Sequence, residues 1–482
     1  NLIKLVSNSW VDGYYMRPRT DRADLEKYHE DLIICSACIA GEVPAKILKG
    51  DIAGAREACE WYHNLFGDDY YLELQRHKVP DDPSLLANRE AYELQQKANK
   101  VLIELSKEYG IKLVCTNDCH FEDKETAEAH DHLLCIATGK DLDDPNRMRY
   151  SKQEWFKTRQ EMNDVFSDIP EALSNTLEVL DKVEIYSIDH GPIMPFFPIP
   201  ESFGTEEQLR QRVSEQDLYK EFTSDENGEN QLPPEEGQKV IDRLGGYDKI
   251  YRIKFEAEYL RHLAYEGAKK LYGDPLPANV DEHVNFELHV MKTMGERFLN
   301  PDRVNLPDID TDFDDDGRGK VLRWVMDKYG HENCAHIITY GSMATKNSIK
   351  DVARVEKLPL DKANALCKAI PDRLPDGAKM NLPNAIKYTP ELKEAEYSSD
   401  PRESNTIKYA KMLEGTIRGT GIHACGFIIC RDPISSWVPV STADDPDFPG
   451  LKTAVTQYDG HVIESTGLIK MDFLGLKTLS EM

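Results

Sequence analysis

Leu306-Pro307-Asp308-Ile309-Asp310-Thr311-Asp312-Phe313 decides how this sequence is read. Acids alternate with apolar and β-branched residues, a pattern that predicts a strand, and strand side chains two apart share a face. Asp308, Asp310 and Asp312 therefore belong on one side. Three carboxylates so placed repel one another unless cations hold them. Hard divalent ions such as Mg2+ take carboxylate oxygens alongside substrate phosphates. A calcium loop competes with that reading: counted from Asp312, Asp314, Asp316 and Gly317 fall at suitable offsets. Arg323 then occupies the position where a bidentate Glu is required, and the loop fails. On spacing alone, an acidic turn without metal stays open beside metal catalysis.

Two other segments bear on the choice. Lys470-Met471-Asp472-Phe473-Leu474-Gly475-Leu476 carries one carboxylate inside an apolar run, and a lone buried Asp is costly unless paired or metal-bound. Ile338-Thr339-Tyr340-Gly341-Ser342 reads as a strand that turns into a helix bearing Lys346, Lys350 and Arg354. Residues four apart share a helix face, so the three form a stripe suited to phosphate contacts or, equally, an ordinary solvated basic face.

Composition narrows the class. The 482 residues are too many for one core, and two to four domains are expected. With 86 acidic against 59 basic residues the net charge is −27, so any nucleic-acid contact has to be a local basic groove. No apolar run reaches the roughly 18 residues of a membrane span. Ten scattered cysteines do not make a disulfide framework and suggest buried thiols in a reducing, cytoplasmic setting. Asn1-Leu2-Ile3-Lys4-Leu5-Val6 reads like the middle of a helix, as if taken from a longer chain.

Up to about residue 188 apolar strands alternate with amphipathic helices: Leu32–Ile34, Tyr70–Leu74 and Ile111–Cys115 as strands, and Leu85–Tyr109 as a helix ended by Gly110. That alternation predicts an α/β layer or barrel. The proline-rich Gly191–Pro200 marks a boundary. Ser342–Arg418 is helical and charge-mixed, and the remainder returns to strands.

Together, Pro307–Phe313, Thr339–Ala344, Leu413-Glu414-Gly415 with Gly421-Ile422-His423-Ala424, and Lys470–Leu476 resemble the C-family of bacterial replicative polymerases, the DNA polymerase III alpha subunits. The resemblance extends to the front third, which is similar to the PHP domain of that family. It implies an α/β multidomain fold: a PHP-like distorted (β/α) barrel remnant over 1–188, a polymerase-beta-like nucleotidyltransferase palm over 189–340 and 418–482, and a helical thumb over 341–417. It implies DNA-directed DNA polymerase activity, with Asp308, Asp310 and Asp472 as catalytic ligands of two Mg2+ ions. Lys470, Ser342, Lys346 and Arg354 would meet nucleotide or DNA phosphates. Primer–template DNA, deoxynucleoside triphosphates, the sliding clamp and a proofreading exonuclease would be partners, with no membrane involved.

In the PHP-like part the resemblance puts metal ligands on Cys38, Asp118 and His120, for Zn2+ or Mn2+, with His77 a weaker candidate. A four-thiolate zinc site of Cys35, Cys38, Cys115 and Cys119 is a looser reading of the same region. The sequence departs from the family in three places. The opening His-x-His ligands of a PHP site are absent. Gly295 runs directly into Glu296, an apparent internal deletion of a Gly-rich phosphate-binding stretch. The chain ends where the fingers should begin. A fragment with little activity of its own is therefore expected. Two further functions compete, a PHP-type phosphoesterase or 3′–5′ exonuclease and a scaffold for other replisome subunits.

Overall fold

The computed structural model of the chain describes residues 1–80, 89–224, 231–298 and 309–481, the side chains of 292–298 excepted. The fold is mixed α/β and divides into two compact units. One comprises residues 1–187 with 338–422, the other 188–337 with 423–482.

In the first unit, three short parallel strands form a sheet in sequential order: β1 (Ile34–Cys35), β2 (Tyr70–Leu74) and β3 (Leu113–Cys115). Ile34 lies opposite Tyr70, and Leu72 opposite Leu113. Helices Ile52–Phe66 and Glu90–Tyr109 make the crossovers that parallel strands require. Ala98, Leu102 and Leu105 are the buried stripe of the second helix, packed on Leu72, Leu74 and Leu113. Gly110 ends it with φ +71, a left-handed conformation that glycine adopts without penalty. Both β1 and β3 are shorter than the apolar runs that predict them.

Helices Thr345–Val355, Leu360–Ala369, Leu382–Tyr388, Pro390–Glu396 and Pro401–Leu413 make up most of 338–422. Asn381 and Asp400 cap two of them by accepting backbone N–H groups. Their shared core of Ile349, Val352, Leu382 and Ile407 also takes in Ala129, Leu133 and Ile136 from helix Ala127–Thr138. These helices thus share a core with the N-terminal segment. Buried His132 of that helix lies 2.7 Å from the Glu356 carboxylate, and Arg354 donates to the Cys135 carbonyl at 3.3 Å.

The second unit carries the larger sheet: β4 (Ile309–Asp314), β5 (Cys334–Ser342), β6 (Ile417–Ile429), β7 (Val440–Asp444), β8 (Lys452–Asp459) and β9 (Lys470–Leu476), in the order β4-β9-β6-β5-β8-β7. The chain passes between units within β5 and within β6. Helix Asp315–Tyr329 packs Leu322, Val325 and Met326 against Phe427 and Phe473 on one face. A separate helical cluster around Leu209, Leu218, Ile241 and Ile250 follows the proline-rich connector. That connector is bonded to the approach to β9, with the Ile193 N–H donating to the Gly467 carbonyl at 2.7 Å. Gly467 has φ +83, and a Cβ there would stand 2.3 Å from the Gly191 oxygen, so only glycine fits. All ten cysteines are free thiols. Among the described residues no helix is long and apolar enough to cross a membrane.

Candidate active site

The outer strand pair of the large sheet decides where the acids stand. β4 and β9 are parallel neighbours in a register that sets Asp310 opposite Asp472 and Thr311 opposite Phe473. Alternation then sorts the side chains by face. Phe313, Met471 and Phe473 pack toward the helix, with the Phe313 and Phe473 rings stacked at 5.5 Å. Asp310, Asp312, Lys470 and Asp472 fall on the other face. Like charges directly opposite across a sheet are unfavourable, so the Asp310–Asp472 pairing calls for positive charge.

Part of that charge is built in. The Lys470 ammonium stands 3.0 Å from Asp472 Oδ2, two residues along the same strand. The other oxygen, Asp472 Oδ1, is buried and has no hydrogen-bond partner among the described residues. A buried carboxylate oxygen without a hydrogen-bond partner suits a cation ligand. Asp310, opposite it in the register, is exposed. Donors of this kind fit a hard divalent ion. Asp308 lies outside the described residues, as does the 295/296 junction at side-chain level.

Three residues near Asp472 escape a reading of the sequence as metal or phosphate ligands. Arg318 is buried, and its guanidinium donates to the Phe473 carbonyl at 2.7 Å, the Ala424 carbonyl at 3.0 Å and Asp447 Oδ2 at 3.2 Å. It ties β9 and β6 together beside Asp472. The only local sign was a basic residue between two glycines in an acidic run. A Cβ on Gly319 would sit 2.9 Å from the Asp447 Cβ, which explains one of those glycines. His423 and Cys425 of β6 lie next to Asp472; His423 belongs to a segment used for the resemblance, Cys425 directly follows it, and neither was weighed for chemistry. Burial, and after it the Asp472 carboxylate, hold the Cys425 thiol above its ordinary pKa.

The remaining candidates are in the first unit. Ser342 is exposed at the end of β5. Lys346 pairs with Asp372 at 3.3 Å, and Arg354 is engaged with the Cys135 carbonyl. In the N-terminal part, His120 Nε2 is 3.5 Å from Asp118 Oδ1 and its ring packs on Tyr150 at 4.4 Å. Cys38 lines a small hollow with Glu73, Gln75, Gln95 and Asn99. His77 is buried with both ring nitrogens engaged, Nε2 at 3.0 Å from the Asn117 carbonyl and Nδ1 at 3.0 Å from the Gln95 amide. Burial accordingly lowers its pKa. Among the described residues, neither Cys38, Asp118 and His120 nor the four thiols Cys35, Cys38, Cys115 and Cys119 bring three ligand atoms within 4.8 Å of one another.

Comparison with known proteins covers both units. Residues 1–77 match the family model of the PHP domain, and residues 294–475 match that of the bacterial DNA polymerase III alpha NTPase domain. The second match contains Asp308, Asp310, Lys470 and Asp472; Asp118 and His120 lie beyond the first. The class defined is thus a PHP domain followed by a bacterial polymerase alpha domain. Over its whole length the chain is 35% identical to the DNA polymerase III subunit alpha of Borreliella burgdorferi, 34% to that of Campylobacter jejuni and 33% to that of Thermus aquaticus. It spans 40%, 41% and 42% of those three proteins, respectively. The chain belongs to the family of bacterial DNA polymerase III alpha subunits.

Proposed function

We propose that this chain is the catalytic-core portion of a DNA-directed DNA polymerase, which adds deoxynucleotides to a primer 3′-hydroxyl on a DNA template during bacterial chromosome replication. The observation that carries the reading is the in-register Asp310–Asp472 pair, with Lys470 on one Asp472 oxygen and the other oxygen buried and unspent.

Asp310 and Asp472, joined by Asp308, would hold divalent cations, Mg2+ by their oxygen donors. Such ions, when bound, lower the pKa of a nucleophilic hydroxyl and offset charge on a leaving phosphate. The protein's own part is positional. β4 and β9 fix two carboxylates at neighbouring register positions, so a primer terminus and a triphosphate bound there would meet within reacting distance. Lys470 orients Asp472 through their ion pair and can turn its ammonium to a phosphate oxygen. Asp312, beyond Asp310 on the same face, adds to the field.

We assign β4–β9 with its helix to the palm and the helices of 345–413 to the thumb. Ser342, Lys346 and Arg354 are our candidates for phosphate contacts. For Lys346 and Arg354 this requires exchanging Asp372 and the Cys135 carbonyl for the duplex backbone. Primer–template DNA, deoxynucleoside triphosphates, a sliding clamp and a proofreading exonuclease are the proposed partners, in the cytoplasm. Cys38, Asp118 and His120 are kept as a candidate Zn2+ or Mn2+ site of the PHP part.

The test is template-directed primer extension by the full-length polymerase with Mg2+. Asp310→Asn should abolish incorporation, a loss on the order of 10^3-fold or more, with circular dichroism and gel-filtration volume unchanged. Incorporation at the wild-type rate would rule the assignment out.

A further inference from the structure

His423 and Cys425 form a cluster with Asp472, and of the three the polymerase reading uses only Asp472. A ring nitrogen, the thiol sulfur and a carboxylate oxygen all lie within 4.8 Å of one another, the only such trio of His, Cys, Asp or Glu among the described residues. The cluster is assembled by the sheet. Gly426 lies opposite Asp472 in the antiparallel register of β6 and β9. The Gly426 N–H donates to His423 Nδ1 at 2.8 Å, which folds the ring back toward this position. A Cβ on residue 426 would stand 2.9 Å from that nitrogen and 3.0 Å from Ile337, so glycine keeps the space open. Cys425 Sγ is 3.6 Å from His423 Nδ1. Arg318 holds the carbonyls of Ala424, between the two β6 ligands, and of Phe473, beside Asp472. The trio thus sits on pinned backbone, and Asp472 Oδ1 is buried with no hydrogen-bond partner among the described residues.

One sulfur, one nitrogen and one oxygen are a poor set for Mg2+, which takes oxygens, and a good set for Zn2+, which binds thiolate, imidazole and carboxylate in tetrahedral sites. We infer that His423, Cys425 and Asp472 form an inhibitory binding site for zinc-class, thiophilic divalent ions, overlapping the catalytic centre through Asp472. On binding, the Cys425 thiol gives its proton to solvent and its sulfur bonds the ion. The His423 lone pair passes from the Gly426 N–H to the ion, Asp472 supplies an oxygen, and water takes the fourth position. An ion held there removes Asp472 from the carboxylate pair, so zinc inhibits in competition with Mg2+. The inhibition rests on the polymerase reading; the binding does not.

The test uses Co2+ as the spectroscopic stand-in for Zn2+, added to metal-free full-length polymerase. The wild type should show a thiolate-to-cobalt charge-transfer band and intense four-coordinate visible bands, both displaced by Zn2+. Cys425→Ser and Cys425→Ala should each lose that increment, with Co2+ affinity at the site falling at least about tenfold. Asp310→Asn should keep it. In primer extension, each Cys425 variant is compared with its own zinc-free rate. The zinc concentration giving half-inhibition should rise at least about tenfold in the variants, and in the wild type it should rise with Mg2+. Bands of equal intensity in wild type and both Cys425 variants, or zinc inhibition indifferent to Cys425, would overturn the site. If instead the cobalt bands depend on Cys425 but Asp310→Asn still polymerises, the metal site stands and the polymerase assignment of the acids falls.

Discussion

Arg318→Met tests whether a buried cation on the far side of the sheet sets the geometry of the acid face. The substitution keeps most of the side-chain length and removes three bonds: to the Phe473 carbonyl at 2.7 Å, the Ala424 carbonyl at 3.0 Å and Asp447 at 3.2 Å. Hydrogen bonds from a charged donor contribute about 1.5–3 kcal/mol each, though not additively. The Asp447 side chain is 24% exposed and can rehydrate, so its bond counts for little. The two carbonyls lie between packed strands and have no such recourse. A local loss of about 3 kcal/mol follows, somewhat offset by no longer burying a charge. Amide hydrogen exchange on the full-length protein reads it directly: protection at 424–427 and 471–473 should drop on the order of 10^2-fold, while β7 and β8 stay protected. Arg318→Lys keeps the charge but cannot reach both strands, and should fall between. Positioning also predicts a higher Mg2+ requirement for primer extension by Arg318→Met. Exchange in β6 and β9 unchanged within about threefold, under 1 kcal/mol, would refute the reasoning.

Three further outcomes follow from the packing. Burial, with the Arg318 charge second, pulls the His336 imidazole down to about 4 from an ordinary 6.5. Its folded value lies below its unfolded one, so its share of stability is complete above pH 6.5 and is lost as pH falls toward 4. The loss is roughly 3 kcal/mol, seen as acid-dependent exchange in β5 that His336→Gln should flatten. Gly467→Ala should cost about 3 kcal/mol locally, from the left-handed backbone and the overlap with the Gly191 oxygen, and should open the 188–200 connector to limited proteolysis. Glu356→Ala leaves a buried nitrogen of His132 without its acceptor. Exchange in helix Ala127–Thr138 should rise by the equivalent of about 1–3 kcal/mol.

Asp310 and Asp472 were legible because each announces itself within its own strand, one by period-two acids and the other as a lone carboxylate among apolar neighbours. Their pairing was not. It depends on β4 and β9 lying side by side in one register, and no local periodicity carries the pairing of strands so far apart in sequence. Arg318 fails for the same reason in sharper form. Beside Asp314, Asp315 and Asp316 it reads as the solvated end of a helix, and only carbonyls from β6 and β9 make burying it tolerable. The basic stripe divides along this line too. Four-residue spacing put Lys346, Lys350 and Arg354 on one face, but that Arg354 turns to the Cys135 carbonyl depends on a core shared with helix Ala127–Thr138. Periodicity therefore finds which residues face a common direction, and long-range pairing decides what they face. His423 and Cys425 show the consequence for function. Neither carries a local signal, since a His and a Cys two apart are unremarkable in sequence. They meet Asp472 because β6 lies beside β9 and the Gly426 N–H holds the His423 ring back, so a second chemistry at that carboxylate becomes visible only in three dimensions.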